Sequence, residues 1–565
     1  MIDLVYKSKK ALVVGARRVS LIRSEQNKNV SSPIIWYLWL FVSVLVFLIQ
    51  SYTIDILPSI LQDEAQITDY GRLAFDPKSD WSATWLLGEN KPLLMWSYLG
   101  PYIAEVAYQI FGNHGIGPRI AALIGGLLAG TMAMGWLLAR KVPTYVAFIL
   151  SLAFLLDPLF VLSQRMARVD SWVIACCLAA CWILNSSVSS KEAKKRWSFA
   201  GIGALSAMAL LVWPSAIFLF PLILFELIQH LHSIKFQTNP RKNITQLCLY
   251  LITGAVVTSF LLIIPVWHNT YLIFGDVKEM ASLNIKSTIP LQDRLFSLIN
   301  FDLWLKLIKA FTKTFSPLFP ILALASLLYS QSKGLIFAAI FTLALIFATL
   351  VYEFRALYLL PYMLAMVGNV YLRLKLKPVS PVINKFSKVA LGVLVLWSIS
   401  ISLVTRTYLG IKSKNEQQRE KLYHAAFTSI GPGKHKVFLD YTYELYYTGR
   451  SLGWQLYTPY IQYTYDKKGN WIRINEYQPK EQFLSLLTQM DFAVFPQGTI
   501  TNEVKDQLSQ CGLGFQGIIV IDQTAEKENL KYKLNRNHDV LLWFLEGRKN
   551  YGPYLLYKKL RPTKS

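Results

Sequence analysis

Charge is scarce in this sequence. Only 16% of its 565 residues are Asp, Glu, Lys or Arg, while 53% are hydrophobic. An ordinary soluble domain is less apolar than this, which argues against a soluble enzyme or carrier. Cysteine is scarce too. Of the five, Cys176, Cys177, Cys181 and Cys248 lie in apolar runs and read as small core residues. Cys511 stands alone in the polar C-terminal region, which therefore holds no internal disulfide, and no cysteine spacing suits a metal. There is no internal repeat of the kind many secondary transporters are built from, and no low-complexity linker. No small-residue cleavage site follows the first apolar run, so the basic N-terminal stretch is not expected to be a signal peptide.

What is abundant is apolar sequence in blocks. Runs of roughly 17–25 residues recur, each long enough to cross a bilayer core of about 30 Å. Candidate membrane helices fall near 34–52, 92–111, 116–139, 143–161, 169–186, 198–213, 215–232, 246–266, 315–330, 334–351, 356–372 and 388–408. The chain is therefore expected to be a polytopic α-helical membrane protein with about 12–13 transmembrane helices. The formal net charge is +24. In a soluble protein this would raise nucleic acid as a partner. Here the excess lies in short loops and in the tail (Lys7, Lys9, Lys10, Arg17, Arg18, Arg23, Lys28), which reads as positive-inside topology and contact with anionic membrane lipid. No nucleic-acid partner is expected.

The expected domains are a cytoplasmic basic tail over 1–33, a transmembrane body over 34–410 whose external loop 53–91 carries an acidic pair, and a soluble, extracytoplasmic mixed α/β domain over 411–565. In that last region, short apolar runs at 436–439, 492–495, 517–521 and 554–557 alternate with amphipathic pieces. The basic tail places the N-terminus inside and 53–91 outside. Counting back from the basic loop 373–388 puts Tyr352–Arg355, residues 267–314 and Asp170 outside. The forward count puts Asp170 inside, so one crossing between 92 and 170 is missing or spurious, with 92–119 the place to look.

Four constellations bear chemistry. Asp63-Glu64 heads the polar stretch after the first apolar run; in an extended or loop segment the two carboxylates point different ways, so one can face a substrate as a general base while the other binds a metal or a neighbouring arginine. Lys91-Pro92 opens the next run, where a lysine either snorkels to the interface or meets a lipid-linked phosphate. Arg165, Arg168 and Asp170 adjoin a strongly apolar run, a depth at which charges are paired or functional. Arg355 and Tyr358, in Glu353-Phe-Arg-Ala-Leu-Tyr-Leu-Leu-Pro361, lie on successive turns and are suited to sharing a phosphate oxygen. His268, with Asp276 nearby, lies beyond another helix end on the same expected side. Each alone has a bland reading as a solvated or paired loop residue. Together, topology places Asp63, Glu64, Lys91, Asp170, His268 and Arg355 on one side of the membrane.

With these residues on the page, the chain resembles the GT-C superfamily of membrane glycosyltransferases, in the branch of the protein O-mannosyltransferases and the lipid A aminoarabinose transferases (glycosyltransferase family 39/83 type). The resemblance covers roughly 35–410 and rests on Gln62-Asp63-Glu64-Ala65, Asn90-Lys91-Pro92-Leu93, Gly117-Pro118-Arg119-Ile120, Arg168-Val169-Asp170 and Tyr358-Leu359-Leu360-Pro361. It implies a polyprenyl-phosphate sugar donor and inversion at the anomeric carbon. It implies chemistry outside the cytoplasm, on the periplasmic face of a bacterial inner membrane. By the same resemblance, Asp63, Glu64 and Asp170 are the candidate catalytic residues, with Asp63 as the base or orienting carboxylate. Lys91, Arg168, Arg355 and Tyr358 are the candidates to hold the donor phosphate. A divalent metal is an open cofactor, with Glu89 and His268 as the ligands to consider. The acceptor is a glycan, a lipid or a protein.

The sequence departs from the branch at Gln66-Ile67, where some relatives carry Arg-Tyr. It departs again at Asn90, where some carry a glutamate, and at Trp213, where some carry a lysine. These departures argue against aminoarabinose as the sugar. The competing readings are a transporter or flippase of lipid-linked sugars, and a catalytically silent scaffold of the same fold.

Overall fold

The computed structural model describes residues 33–76, 79–83, 98–112, 115–187, 192–234, 240–269, 299–328, 332–349, 351, 353–376, 380–412, 414, 419–440, 442–458, 462–465, 471–475, 480–498, 500–520 and 552–560. The chain divides into two compact units, Met1–Leu45 and Val46–Ser565. The described part of the first is the apolar opening of helix α1 (Pro33–Ser51), with proline at the first helical position, where no amide donor is needed. The rest of α1 and every other element belong to the second unit.

That unit is mostly helix: α2 (Gln62–Phe75), α3 (Leu99–Phe111), α4 (Ile116–Ala139), α5 (Thr144–Leu155), α6 (Pro158–Arg165), α7 (Asp170–Ser186), α8 (Glu192–Val212), α9 (Phe220–Ile234), α10 (Pro240–Ile263), α11 (Phe301–Lys313), α12 (Leu318–Leu327), α13 (Lys333–Ala348), α14 (Leu360–Leu376), α15 (Pro381–Ile399) and α16 (Arg406–Lys412). Among the described residues, five helices are long and apolar enough to cross a membrane. The pair α5 and α6, bent by 49° at Asp157-Pro158, makes a sixth. Three shorter apolar helices, α7, α12 and α13, accompany them. The outward face of α10 exposes Leu249, Ile252, Val256, Val257 and Phe260, a patch that a water-soluble surface does not tolerate and a lipid-facing one requires. On its inward side α10 approaches α8 so closely that a Cβ on Gly203 would sit 1.9 Å from the Leu251 carbonyl oxygen, and one on Gly254 1.9 Å from that of Ala200. Helices meet this way in lipid, where small residues let backbones touch.

The apolar run at 92–111 is described from residue 98 onward. Its helix α3 starts at Leu99 and has 13 residues, about 20 Å of rise, short of a bilayer core of about 30 Å. It packs beside α2, and its Glu105 is held by Arg450 of the C-terminal region. Arg168 contacts both Asp63 and Asp170, so the two acids lie together in the folded chain. The acidic pair is also not in an extended loop. It forms the first turn of α2, where acidic side chains favour the helix N-terminus.

After α16 come α17 (Arg419–Ser429), β1 (Lys436–Leu439), α18 (Tyr446–Ser451), β2 (Gln455–Tyr457), β3 (Gln462–Tyr465), β4 (Trp471–Asn475), α19 (Lys480–Thr488), β5 (Phe492–Pro496), α20 (Asn502–Gln510), β6 (Leu513–Ile519) and β7 (Tyr554–Lys559). Five of the strands form a mixed sheet in the order β2-β1-β5-β7-β6, with β2, β1 and β5 parallel and β7 antiparallel to both neighbours. Strands β3 and β4 make a separate antiparallel pair. The continuous apolar runs of β1 and β5 are those of strands covered on both faces. This region shares a core with α2, α3 and the segments beside them: Ile60, Ala65, Ala83 and Tyr108 are buried with Val437, Leu439, Val494 and Leu556. Ser82 adds a bridge to the sheet's edge at Tyr457.

Candidate active site

The acidic pair sits on a helix, and consecutive helical residues diverge by about 100°. The two carboxylates therefore have different surroundings. Glu64 is fully buried. Arg119 grips it in a fork, Nε to Oε1 at 2.9 Å and Nη2 to Oε2 at 2.6 Å, and Arg419 approaches Oε1 at 3.5 Å. Arg119, also fully buried, donates further hydrogen bonds to the carbonyls of Ile54 and Pro58, both at 2.8 Å, and of Ser59 at 3.4 Å. Planar bidentate pairing of this kind suits arginine and no other cation. Asp63 keeps 34% of its side chain exposed and is ion-paired to Arg168.

Arg168 is the hub. Its Nε donates to Asp170 Oδ2 at 2.8 Å while its Nη1 reaches Asp63, and its guanidinium lies 4.3 Å above the Phe354 ring. The chain reaches this position through a turn in which Ala167 adopts φ +52, a left-handed conformation that costs a non-glycine residue about 1 kcal/mol or more and is found at functional sites. Asp170, the first residue of α7, is buried, and its other oxygen accepts from the Tyr358 hydroxyl at 2.6 Å. The result is a chain of contacts, Asp63–Arg168–Asp170–Tyr358, that is open to solvent at its Asp63 end.

Arg355 stands one ring away. Its guanidinium lies 5.2 Å over Phe218, whose ring packs against Tyr358 at 5.6 Å, and its Nη1 donates to Thr349 Oγ1 at 2.5 Å. Arg165, the other cation of its cluster, faces away from this chain. It caps the end of α1, donating to the carbonyls of Gln50, Thr53 and Leu57 at 2.6–3.1 Å. Lys91 and Glu89 lie outside the described residues. His268 falls in a short 3-10 turn, Ile264–Asn269, and its side chain is likewise outside the description. Among the described residues no group of three or more His, Cys, Asp or Glu is placed to hold a metal.

Sequence reasoning missed the layer behind the acidic pair. Arg119 had a signal, since it stood in the Gly117-Pro118-Arg119-Ile120 motif. Tyr446 and Tyr447 had none. Tyr446 donates to Asp69 Oδ1 at 3.1 Å; Asp69 also accepts from Arg72 Nε at 2.8 Å and the Ala83 amide at 2.9 Å. Burial pushes both tyrosine phenols well above their ordinary pKa, helped in Tyr447 by the Glu64 carboxylate. Both remain neutral at any physiological pH.

The comparisons with known proteins point the same way. Residues 96–268 match the family described as dolichyl-phosphate-mannose-protein mannosyltransferase. Across 94% of this chain and 99% of theirs, the fold matches two solved structures of ArnT from Cupriavidus metallidurans. One is bound to undecaprenyl phosphate (TM-score 0.55, 13% identity) and the other is in the apo state (TM-score 0.52, 15% identity). No curated protein matches the chain in sequence. The chain has an ArnT-like fold, and the two findings together support the GT-C superfamily of membrane glycosyltransferases that its motifs resemble.

Proposed function

We propose that this protein transfers a sugar from a polyprenyl-phosphate donor to an acceptor hydroxyl on the periplasmic face of a bacterial inner membrane, with inversion. The observation that carries the reading is the contrast within the acidic pair. Glu64 is sealed and fully engaged by arginines, while Asp63, one position earlier on the same helix, opens to solvent beside a buried Arg168–Asp170–Tyr358 chain. The ArnT structure that shares the fold is bound to undecaprenyl phosphate, which supports a polyprenyl-phosphate donor here.

In this mechanism Asp63 receives the proton of the attacking acceptor hydroxyl. That oxygen bonds to the anomeric carbon as the bond from carbon to the phosphate oxygen breaks on the opposite face. Polyprenyl phosphate leaves with the bonding pair. Arg168 orients Asp63 through their ion pair, and Asp170 and Tyr358 fix Arg168 in turn. Arg355 and Lys91 supply positive charge to the departing phosphate, where preorganised cations act most strongly. Glu64 positions the helix rather than touching substrate. No step is assigned to a metal.

The test is release of polyprenyl phosphate from labelled undecaprenyl-phosphate sugars by the purified protein and by Asp63→Asn. Loss of a general base costs about 10²–10⁴-fold in kcat. Equal turnover by the two proteins rejects the role of Asp63. Lipid flipping without turnover on any donor rejects the enzyme.

A further inference from the structure

The C-terminal region does more than cover the external face: two adjacent tyrosines and an arginine from it close on helix α2. The Tyr447 hydroxyl lies 2.9 Å from Thr68 Oγ1 and 3.4 Å from the Glu64 carbonyl oxygen, so it meets α2 at two points on successive turns. Tyr446 holds Asp69, the residue after Thr68. Arg419, from α17, reaches the Glu64 carboxylate, and its guanidinium stands 5.9 Å from the Tyr447 ring. The Tyr447 ring is itself fixed. It stacks on Tyr108 of α3 at 5.6 Å and meets Tyr446 edge-on at 5.1 Å. Gly115, at φ +69, leaves it room, since a Cβ there would lie 2.3 Å from the ring.

We propose that Tyr447 and Arg419 are positioning residues for Asp63, setting the rotation of α2 about its own axis. The inference rests on the glycosyl-transfer reading of Asp63. Its physical basis is leverage. A carboxylate on a helix lies about 5–6 Å from the axis, so a rotation of about 20° carries it about 2 Å. A misplacement of about 1 Å at a reacting group costs on the order of 10²-fold in rate. Arg168 grips Asp63 from the membrane side. The C-terminal region supplies a second grip on the same helix, at residues 64 and 68 on successive turns.

Tyr447→Phe removes the hydroxyl and keeps the ring. It is expected to lower kcat for transfer from undecaprenyl-phosphate sugars by about 10–100-fold with donor KM within about 3-fold. Arg419→Lys is expected to retain more activity than Arg419→Met. A second measurement needs no turnover. The thiol of Asp63→Cys is labelled with a membrane-impermeant maleimide, with and without Tyr447→Phe, and the buried Cys176, Cys177 and Cys181 report any unfolding. A labelling rate that changes severalfold while those three stay protected is the expected result. An unchanged kcat, or a lost kcat with an unchanged labelling rate, overturns the proposal. Full turnover by Asp63→Asn would instead reject the underlying reading, leaving the labelling arm to judge the clamp alone.

Discussion

Replacing Arg119 by leucine is the sharpest test of how the acidic pair is built. In the folded protein Arg119 has no exposed surface and donates to both oxygens of a carboxylate that has none either, and to three backbone carbonyls in the segment 54–59. Arg119→Leu leaves the Glu64 charge buried with only Arg419 at 3.5 Å. Breaking one side of a buried pair costs about 3–5 kcal/mol, because the partner's desolvation is no longer offset. Glu64→Leu should cost a similar amount by stranding Arg119. Removing both should cost much less than the sum of the two single losses, with a coupling of at least about 2 kcal/mol. The measurement is thermal unfolding of the purified protein in lipid nanodiscs. At about 1–2 °C per kcal/mol for a chain of this size, scaled from smaller domains, each single replacement lowers the midpoint by about 5 °C and the double replacement recovers part of it. Additive losses, or single losses below about 1 kcal/mol, would show that the fork is not what holds α2 against α4.

Two further outcomes are expected. Tyr358→Phe leaves one oxygen of the buried Asp170 carboxylate without its 2.6 Å donor, so activity falls by about tenfold or more while expression holds, read by turnover per folded protein; a loss of a few tenths of a kcal/mol would count against the relay to Asp63. Gly203→Val forces α8 and α10 apart, since even a Cβ would meet the Leu251 carbonyl at 1.9 Å. The yield of folded protein in detergent drops sharply, whereas Gly201→Val, at a position with open space, leaves it unchanged.

Much of the architecture was legible because its causes are local. The apolar blocks mark helices wherever they lie, and the short runs at 436–439, 492–495 and 554–557 carried enough β-forming residues to read as strands. Legibility failed where length and polarity were both borderline. The run at 92–111 reads as a crossing by composition, yet its described helix, Leu99–Phe111, has 13 residues, and its Glu105 pairs with Arg450. The acidic pair was placed in a loop because its helix is polar overall and lacks the apolar periodicity that announces a span, although Glu64 to Leu73 are buried in the folded chain. Arg168 and Asp170 drew attention because charges next to a membrane run are rare, and Tyr358 because it lies one turn from Arg355. Tyr446 and Tyr447 were not, because a tyrosine in a polar segment is ordinary until its partner is known.

Composition and hydropathy by themselves determined that this is a helical membrane protein with a mixed α/β region near its C-terminus, and where its unusual charges lie. They did so because burial in lipid constrains each segment independently of its neighbours. Which carboxylate of Asp63-Glu64 is open and which is sealed was decided only in three dimensions. So was the joining of Asp63 to Asp170 through Arg168, and the hold of the C-terminal region on α2. These depend on pairings between residues 55 to 379 positions apart, and such contacts leave no periodic trace in a single chain.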